Sequence, residues 1–94
     1  MEAQKNRMII TVLGNDQIGI IAWIANRLAE FNVNILDISQ TILQEFFTMI
    51  MIVDLSPSKT AAANLGKILA EEGKQRGLQV NIQHEDVFAY MHRI

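Results

Sequence analysis

Two short segments of this chain are apolar on both sides of an extended strand, and this limits how the chain folds. Residues 8–13 are rich in β-branched side chains. Residues 46–55 carry two apolar rows, one with Phe47, Met49, Met51 and Val53, the other with Ile50 and Ile52. A strand of this kind needs cover on both faces. The sequence therefore predicts that both segments are central strands of one sheet.

The segment between these strands predicts a helix followed by a strand. Residues 17–31 place apolar side chains at helical spacing, namely Ile21, Ile24, Ala25 and Leu28. Asn32 suits the left-handed conformation that ends a helix. Residues 33–43 then favour a strand, but Ile35 and Ile38 are three positions apart. A β-bulge near Leu36 and Asp37 would place both on one face.

The remaining elements follow from turn and capping signals. Gln44 and Glu45 are expected to form a hairpin turn, and residues 56–58 (Ser-Pro-Ser) to begin a second helix by capping it. Gly77 is expected to end that helix. Residues 78–83 predict a fourth strand with Val80 and Ile82 inward. Residues 85–94 have the spacing of a short amphipathic helix.

The order β-α-β-β-α-β predicts an α+β, ferredoxin-like fold. Right-handed crossovers give a four-stranded antiparallel sheet of order 4-1-3-2, with two helices on one face and a short C-terminal helix. We expect a flexible leader at 1–7, the domain at 8–84 and a helical tail at 85–94. Because this fold supports many unrelated functions, it does not identify an activity.

Composition narrows the class of protein. The chain has 94 residues, enough for one core, and is 50% hydrophobic and 19% charged. Its net charge is −2 and its basic residues are dispersed, which argues against nucleic acid as a partner. The lack of cysteine excludes disulfides and thiolate chemistry. Residues 8–13 are too short for a signal sequence or membrane span, so we expect a cytoplasmic protein.

Three segments together resemble the ACT-domain family. They are the strand-loop-helix start at 10–20 with its Gly-x-Asp-x-x-Gly pattern, the helix end and next strand at 24–38, and the returning strand at 47–51. The similarity extends over about residues 8–83. It is greatest to short stand-alone ACT proteins, which also carry Asp-Ile-Ser-Gln-Thr, here residues 37–41.

The resemblance implies a regulatory module, not an enzyme, that binds an amino acid or similar small effector and needs no cofactor. The ligand would lie between the first loop of one copy and the second strand of its neighbour. The positions that match are Gly14, Asn15, Asp16, Gly19, Ile20 and Asn34. The start of a helix offers free N–H groups to a carboxylate, and Gly19 lets it approach closely. Asp16 would face the ligand ammonium group.

Each of these positions also has a purely structural interpretation. Asp16 would serve equally as a helix N-cap. Gly14 and Gly19 suit turn geometry alone, and Asn34 suits the beginning of a strand. The sequence leaves these alternatives open.

The apolar rows also predict an oligomer. The two rows of the third strand cannot both lie under the helices, so one faces water, the tail helix or a second subunit. We therefore expect a homodimer or a higher oligomer, with Phe47, Met49 and Met51 at the interface. Trp23 lies off the apolar helix face and is expected to point away from the core, as a surface aromatic or an interface anchor. The alternative function is a protein–protein interaction module without a small ligand.

Catalysis and metal binding have little support in the sequence. The only conceivable metal cluster, His84, Glu85, Asp86 and His92, lacks one-turn spacing. Ser39 and Thr41 have no base nearby in the pattern. We expect neither a metal site nor an active site.

Overall fold

The computed structural model describes residues 6–87. Its elements are β1 (Arg7–Asn15), α1 (Ile20–Glu30), β2 (Asn34–Leu43), β3 (Phe46–Asp54), α2 (Ala62–Gln75) and β4 (Leu78–His84). The strands form one antiparallel sheet of order β2-β3-β1-β4. The predicted fold and strand order are therefore confirmed.

The core lies between the helices and one face of the sheet. In the centre, Ile10 pairs with Met51 and Ile82, and Val12 pairs with Met49 and Val80. These side chains pack in one cluster with buried residues of both helices, among them Ile24, Leu28, Leu65 and Leu69. Burial of these side chains is the main stabilising term for a domain of this size.

The row assigned to the interface is instead part of this core. Phe47, Met49 and Met51 are buried within a single chain, so their prediction as interface residues is wrong. The row that faces away from the helices contains the exposed Phe46 and Ile50. The strand pattern showed two apolar rows but not which one the helices cover.

The predicted orientation of Trp23 is also wrong. Its side chain is 8% exposed, whereas that of Ile21 is 41% exposed. Helix α1 begins at Ile20, and its buried face consists of Ile20, Trp23, Ile24 and Leu28. The Trp23 ring reaches α2 at Gly73, where an added Cβ would lie 3.5 Å from the indole Cη2 atom. The indole is therefore a contact between the helices.

The second helix begins later than its capping signal predicts. Asp54 accepts hydrogen bonds from the backbone N–H and hydroxyl of Ser56, at 3.0 and 2.7 Å. Ser58 N–H donates to the Leu55 carbonyl at 2.9 Å. These bonds hold residues 55–58 in a turn, and α2 begins at Ala62 with Ala61 as its N-cap. The prediction of a cap at 56–58 is wrong because Ser56 binds back to β3.

The turn and bulge predictions are confirmed. Asn32 has φ 62° at the end of α1, and Gly77 has φ 76° after α2. The pairing of β2 with β3 shifts register between Ile35 and Asp37. Beyond this bulge Ile38 pairs with Met51 and Ile42 pairs with Phe47, so both lie on the helix-facing side of β2.

Two predicted end segments, the leader and the C-terminal helix, fall only in part within the described residues. Residues 1–5 of the predicted leader lie outside the described residues, but Asn6 and Arg7 belong to the folded part. Asn6 N–H donates to Ser56 Oγ at 3.0 Å, and Arg7 pairs with Asp54 in the sheet. Of the predicted C-terminal helix, residues 85–87 are helical, while 88–94, including His92, lie outside the described residues.

Between residues 6 and 87, no helix is long and apolar enough to cross a membrane.

Candidate functional site

The loop between β1 and α1 is held by backbone contacts at both ends. Asp16 N–H donates to the Glu45 carbonyl at 2.7 Å, which joins the loop to the β2–β3 turn. Gly19 is the N-cap of α1, with φ 91° and no capping hydrogen bond from a side chain. Asp16 is therefore not the helix cap, and the first turn of α1 lacks a side-chain acceptor. The left-handed φ explains why position 19 favours glycine.

An open depression of about 310 Å³ lies beside this loop. It combines the loop, the first turn of α1 and the second half of β2, with an aromatic residue of β3 beneath. The lining residues are Asp16, Gln17, Gly19, Ile20, Ile21, Ala22, Gln40, Ile42 and Phe47. A volume near 300 Å³ is at the lower end for small-molecule sites. The depression is therefore sized for a small ligand.

The site residues expected from the sequence do not all meet in one chain. Asp16, Gly19 and Ile20 line the depression. Gly14 lies in β1, where an added Cβ would come within 2.6 Å of Leu78 Cδ2 and 3.0 Å of the Gly77 carbonyl oxygen, so close packing against the backbone favours glycine there. Asn15 is the last residue of β1 and pairs with Phe46.

Asn34 lies at the far end of the sheet from this loop. It pairs with Asp54, whereas Leu43, at the loop end of β2, pairs with Phe46. Leu43 lies nine residue steps along the extended strand from Asn34, a distance of roughly 30 Å. Asn34 instead borders a second depression with Ala29, Asn32, Val33 and Pro57. One chain alone therefore does not bring Asn34 to the loop.

The sequence interpretation missed Gln17, Gln40 and Ile42 as lining residues. Gln40 and Ile42 share the helix-facing side of β2, a consequence of the bulge that the sequence did predict. Carrying that register forward through the strand would have identified both residues. Gln17 had no comparable signal, because its role depends on a contact with α2.

Gln17 ties the loop to the end of α2. Its side-chain amide donates to the Arg76 carbonyl at 2.9 Å and to the Asn15 carbonyl at 3.4 Å. The Arg76 guanidinium group in turn lies 4.9 Å from the centre of the Trp23 ring, a cation–π contact. The loop is thus connected to the contact between the two helices.

A charged cluster behind the loop joins α1 to α2. Glu72 accepts from Trp23 Nε1 at 2.8 Å and from Arg27 Nε at 2.9 Å, and Arg27 Nη2 makes a further bond to it. These hydrogen bonds lower the pKa of Glu72 to about 2, and those from Arg27 have a larger effect than the one from Trp23. Hydrogen bonding to Glu72 correspondingly raises the pKa of Arg27. A bidentate pair of this kind is geometrically specific.

The shifted pKa predicts a pH-dependent contribution to stability. Because the pKa of Glu72 is lower in the folded state than its ordinary value of 4.5, the stabilisation is present above about pH 4.5 and lost as pH falls through about 2. Glu72→Gln should lower the Tm by a few degrees at pH 7, and its difference from the wild type should shrink as pH falls through that range. Thermal unfolding of both proteins from pH 7 to pH 2 measures this difference in Tm.

The control is Glu71→Gln, at an exposed neighbouring position on α2. It removes one negative charge without touching Arg27 or Trp23. An equal pH dependence of the stability difference in both variants would contradict the assignment to the cluster.

Metal ligands do not converge in the described part of the chain. Residues 6–87 contain no group of three or more His, Asp or Glu side chains arranged to hold a metal ion. His84 Nδ1 and Asp86 lie 3.7 Å apart on the surface.

An exposed apolar edge flanks the depression. Strand β2 is at the end of the strand order, so its outer backbone edge has no neighbour among the described residues. Along it Ile38 is 41%, Ile42 54% and Leu43 71% exposed. Asp37 is its single charged residue. Long apolar edge strands with few charges tend to pair with another chain.

Comparisons with known proteins agree with this architecture. A sequence profile of the ACT domain matches residues 6–83. A UPF0237 protein of Methanocaldococcus jannaschii is 53% identical over 89 residues, which is 95% of this chain and 99% of that protein. A UPF0237 protein of Clostridium acetobutylicum is 50% identical over 88 residues, covering 94% of this chain and 99% of that protein.

Solved structures show the same relationship. An ACT domain protein from Streptococcus pneumoniae is 35% identical, with a TM-score of 0.77 and coverage of 97% of this chain and 99% of that one. A formyltetrahydrofolate deformylase from Pseudomonas syringae matches 85% of this chain with 28% of its own, at a TM-score of 0.78 and 16% identity, a similarity of fold alone. The profile match and the similar length of its relatives show that this chain belongs to the ACT-domain family and is similar throughout to its short stand-alone members.

Proposed function

We propose that the protein is a non-enzymatic regulatory module that binds an amino acid, or a similarly small effector, at the interface of a homodimer. The observation that carries the proposal is the depression beside the β1–α1 loop, which is lined in part by Gln40 and Ile42 of the edge strand β2. A second subunit on that edge would complete the site and cover the apolar side chains together.

Antiparallel pairing of two β2 edges would bring Asn34 of the partner subunit to the loop end of β2. With a two-fold axis near Ser39, and one residue skipped at the bulge, the partner's Asn34 comes opposite Leu43. Leu43 and a residue opposite it share the sheet face away from the helices, whereas Ile42 lines the depression on the other face. The dimer would therefore close the separation of roughly 30 Å along the strand, with the partner's Asn34 on the face of the sheet opposite to the depression.

The chemistry of the depression suits a zwitterion. The first turn of α1 has backbone N–H groups and a partial positive charge without a side-chain cap, which favours a ligand carboxylate. The Asp16 carboxylate lines the same depression and would favour the ligand ammonium group. Ile20, Ile42 and Phe47 provide an apolar surface for the remainder.

Thermal-shift screening with the common amino acids tests this proposal. A ligand at 100 times its Kd stabilises the folded state by about 2.7 kcal/mol. For a domain of this size that corresponds to a rise in Tm of roughly 10–20 °C. No shift with any amino acid would overturn amino-acid binding as the function of the depression.

The chain offers a matched pair of glycine variants for this test. Gly19 and Gly77 both have positive φ and no atom within 4 Å of an added Cβ, so an alanine at either position carries a similar strain. Only Gly19 lines the depression. Gly19→Ala should abolish the ligand-induced shift, while Gly77→Ala should keep it. An equal loss in both would indicate a general effect of destabilisation.

A second candidate function is an interaction module without a small ligand. The exposed β2 edge favours it, because another protein can add a strand there. Trp23, the anchor expected from the sequence, is buried and does not serve this role. Co-purification of a partner with the wild type but not with Ile38→Lys, and no thermal shift with any amino acid, would favour this alternative.

A further inference from the structure

We propose that Gln40 determines which ligand the depression accepts, selecting amino acids with a neutral polar side chain over dicarboxylic ones. This inference depends on the proposed function and assigns specificity to a residue of β2. Three features support it: the charge of the lining, the engagement of Gln17 and the register of β2.

The part of the lining that one chain supplies contains no cationic side chain. Its polar side chains are Asp16, Gln17 and Gln40, and only Asp16 is ionisable. The N-terminal turn of α1 can accept one carboxylate, and a second would meet no Lys, Arg or His in the lining. Without a partner, a desolvated carboxylate is strongly disfavoured, and Asp16 would repel it further. The depression therefore discriminates against ligands with two carboxylates.

Gln17 is not available to a ligand, because its amide already donates to the Arg76 and Asn15 carbonyls. Within residues 6–87, no hydrogen bond involves the Gln40 side chain. Its amide offers two donors and an acceptor. Of the two side-chain amides in the lining, Gln40 is therefore the one that can contact a hydroxyl or amide group of the ligand.

The position of Gln40 follows from the bulge. Beyond it, Gln40 pairs with Met49 and shares the helix-facing side of β2 with Ile38 and Ile42. Met49 is fully buried in the core, whereas Gln40 is on the outer strand and is exposed. It thus stands opposite the loop across the depression, where the ligand side chain would lie once the α-carboxylate is at α1.

The test compares Gln40→Arg, Gln40→Leu and the wild type by thermal shift with serine, glutamine, alanine, aspartate and glutamate. In the wild type, serine or glutamine should bind at least roughly tenfold more tightly than aspartate or glutamate, the effect of one good polar contact. Gln40→Arg, measured at a protein concentration at which light scattering shows a dimer, should gain at least roughly tenfold in affinity for the dicarboxylates. Gln40→Leu should lose serine and glutamine binding but keep alanine binding.

Thr48→Arg is the control, because Thr48 lies on β3, away from the β2 edge, and is exposed on the face of the sheet opposite to the depression. It should leave the order of ligand preference unchanged. The inference is overturned if the wild type responds to amino acids but Gln40→Arg keeps its order of preference, or if the wild type prefers dicarboxylates. No response in any variant would overturn both this inference and the proposed function, so the two failures are distinguishable.

Discussion

Met49→Ala is expected to lower the free energy of unfolding by about 2–5 kcal/mol, the usual effect of truncating a fully buried methionine. Met49 is fully buried and pairs with Val12 in the centre of the sheet. The truncation leaves a cavity between the sheet and helices, in a domain whose total stability is of the order of 5–15 kcal/mol. The Tm should fall by roughly 10–30 °C. Chemical denaturation followed by circular dichroism measures the change.

Ile50→Ala is the matched control on the same strand. Ile50 is the next residue but lies on the opposite face and is exposed. Its truncation in the monomer should cost much less than that of Met49. Equal losses at low protein concentration would mean that both faces of β3 are buried within one chain, contrary to the described packing.

Ile38→Lys is expected to dissociate the proposed dimer, raising its Kd by roughly a hundredfold or more. Ile38 is exposed in the single chain and lies on the outer strand β2. A lysine ammonium group at this position would be desolvated when two β2 edges pair, and lysine on an edge strand is a common way to prevent such pairing. Size-exclusion chromatography with light scattering measures the change in mass.

The control for this variant is Gln79→Lys, which adds the same charge at the other edge of the sheet. Gln79 is exposed on β4 and pairs with Leu13. It should remain dimeric. A wild type that is monomeric at micromolar concentration, or an Ile38→Lys protein that stays dimeric, would contradict association through β2.

The two results bear on ligand binding as well. If the dimer completes the site, Ile38→Lys should weaken the ligand-induced thermal shift, although Ile38 does not line the depression. Met49→Ala should lower the starting Tm but keep the shift, provided that the protein remains folded. Comparing the two variants thus separates the effect of dimer assembly on ligand binding from the effect of core stability.

Local patterns were sufficient to predict the order of the elements and several of their details. Asn32 and Gly77 have conformational preferences that end helices wherever they occur, and both have positive φ. The spacing of Ile35 and Ile38 was enough to locate the bulge, because two apolar residues three apart share a strand face only when one residue is extra. The strand order followed from connection rules that hold for this sequence of elements.

The errors arose where two local signals competed. Ser56 is a good helix cap by residue type, but the Asp54 carboxylate binds it first. The predicted apolar face of α1 included Ile21 and left Trp23 outside it. The observed face is shifted by one position, so Trp23 is buried and Ile21 is exposed. The partner of Ser56 is only two residues away but belongs to β3, whereas the contacts that bury Trp23 come from α2.

Turn preferences and apolar periodicity are properties of neighbouring residues, so the fold and the β1–α1 loop could be predicted from the residues alone. Which row of β3 forms the core could not be predicted, since either row satisfies the pattern and the packing of the helices selects one. The same holds for the location of Asn34 and the loop at opposite ends of one sheet. That separation follows from antiparallel pairing, which places the beginning of β2 next to the end of β3 and away from the β1–α1 loop.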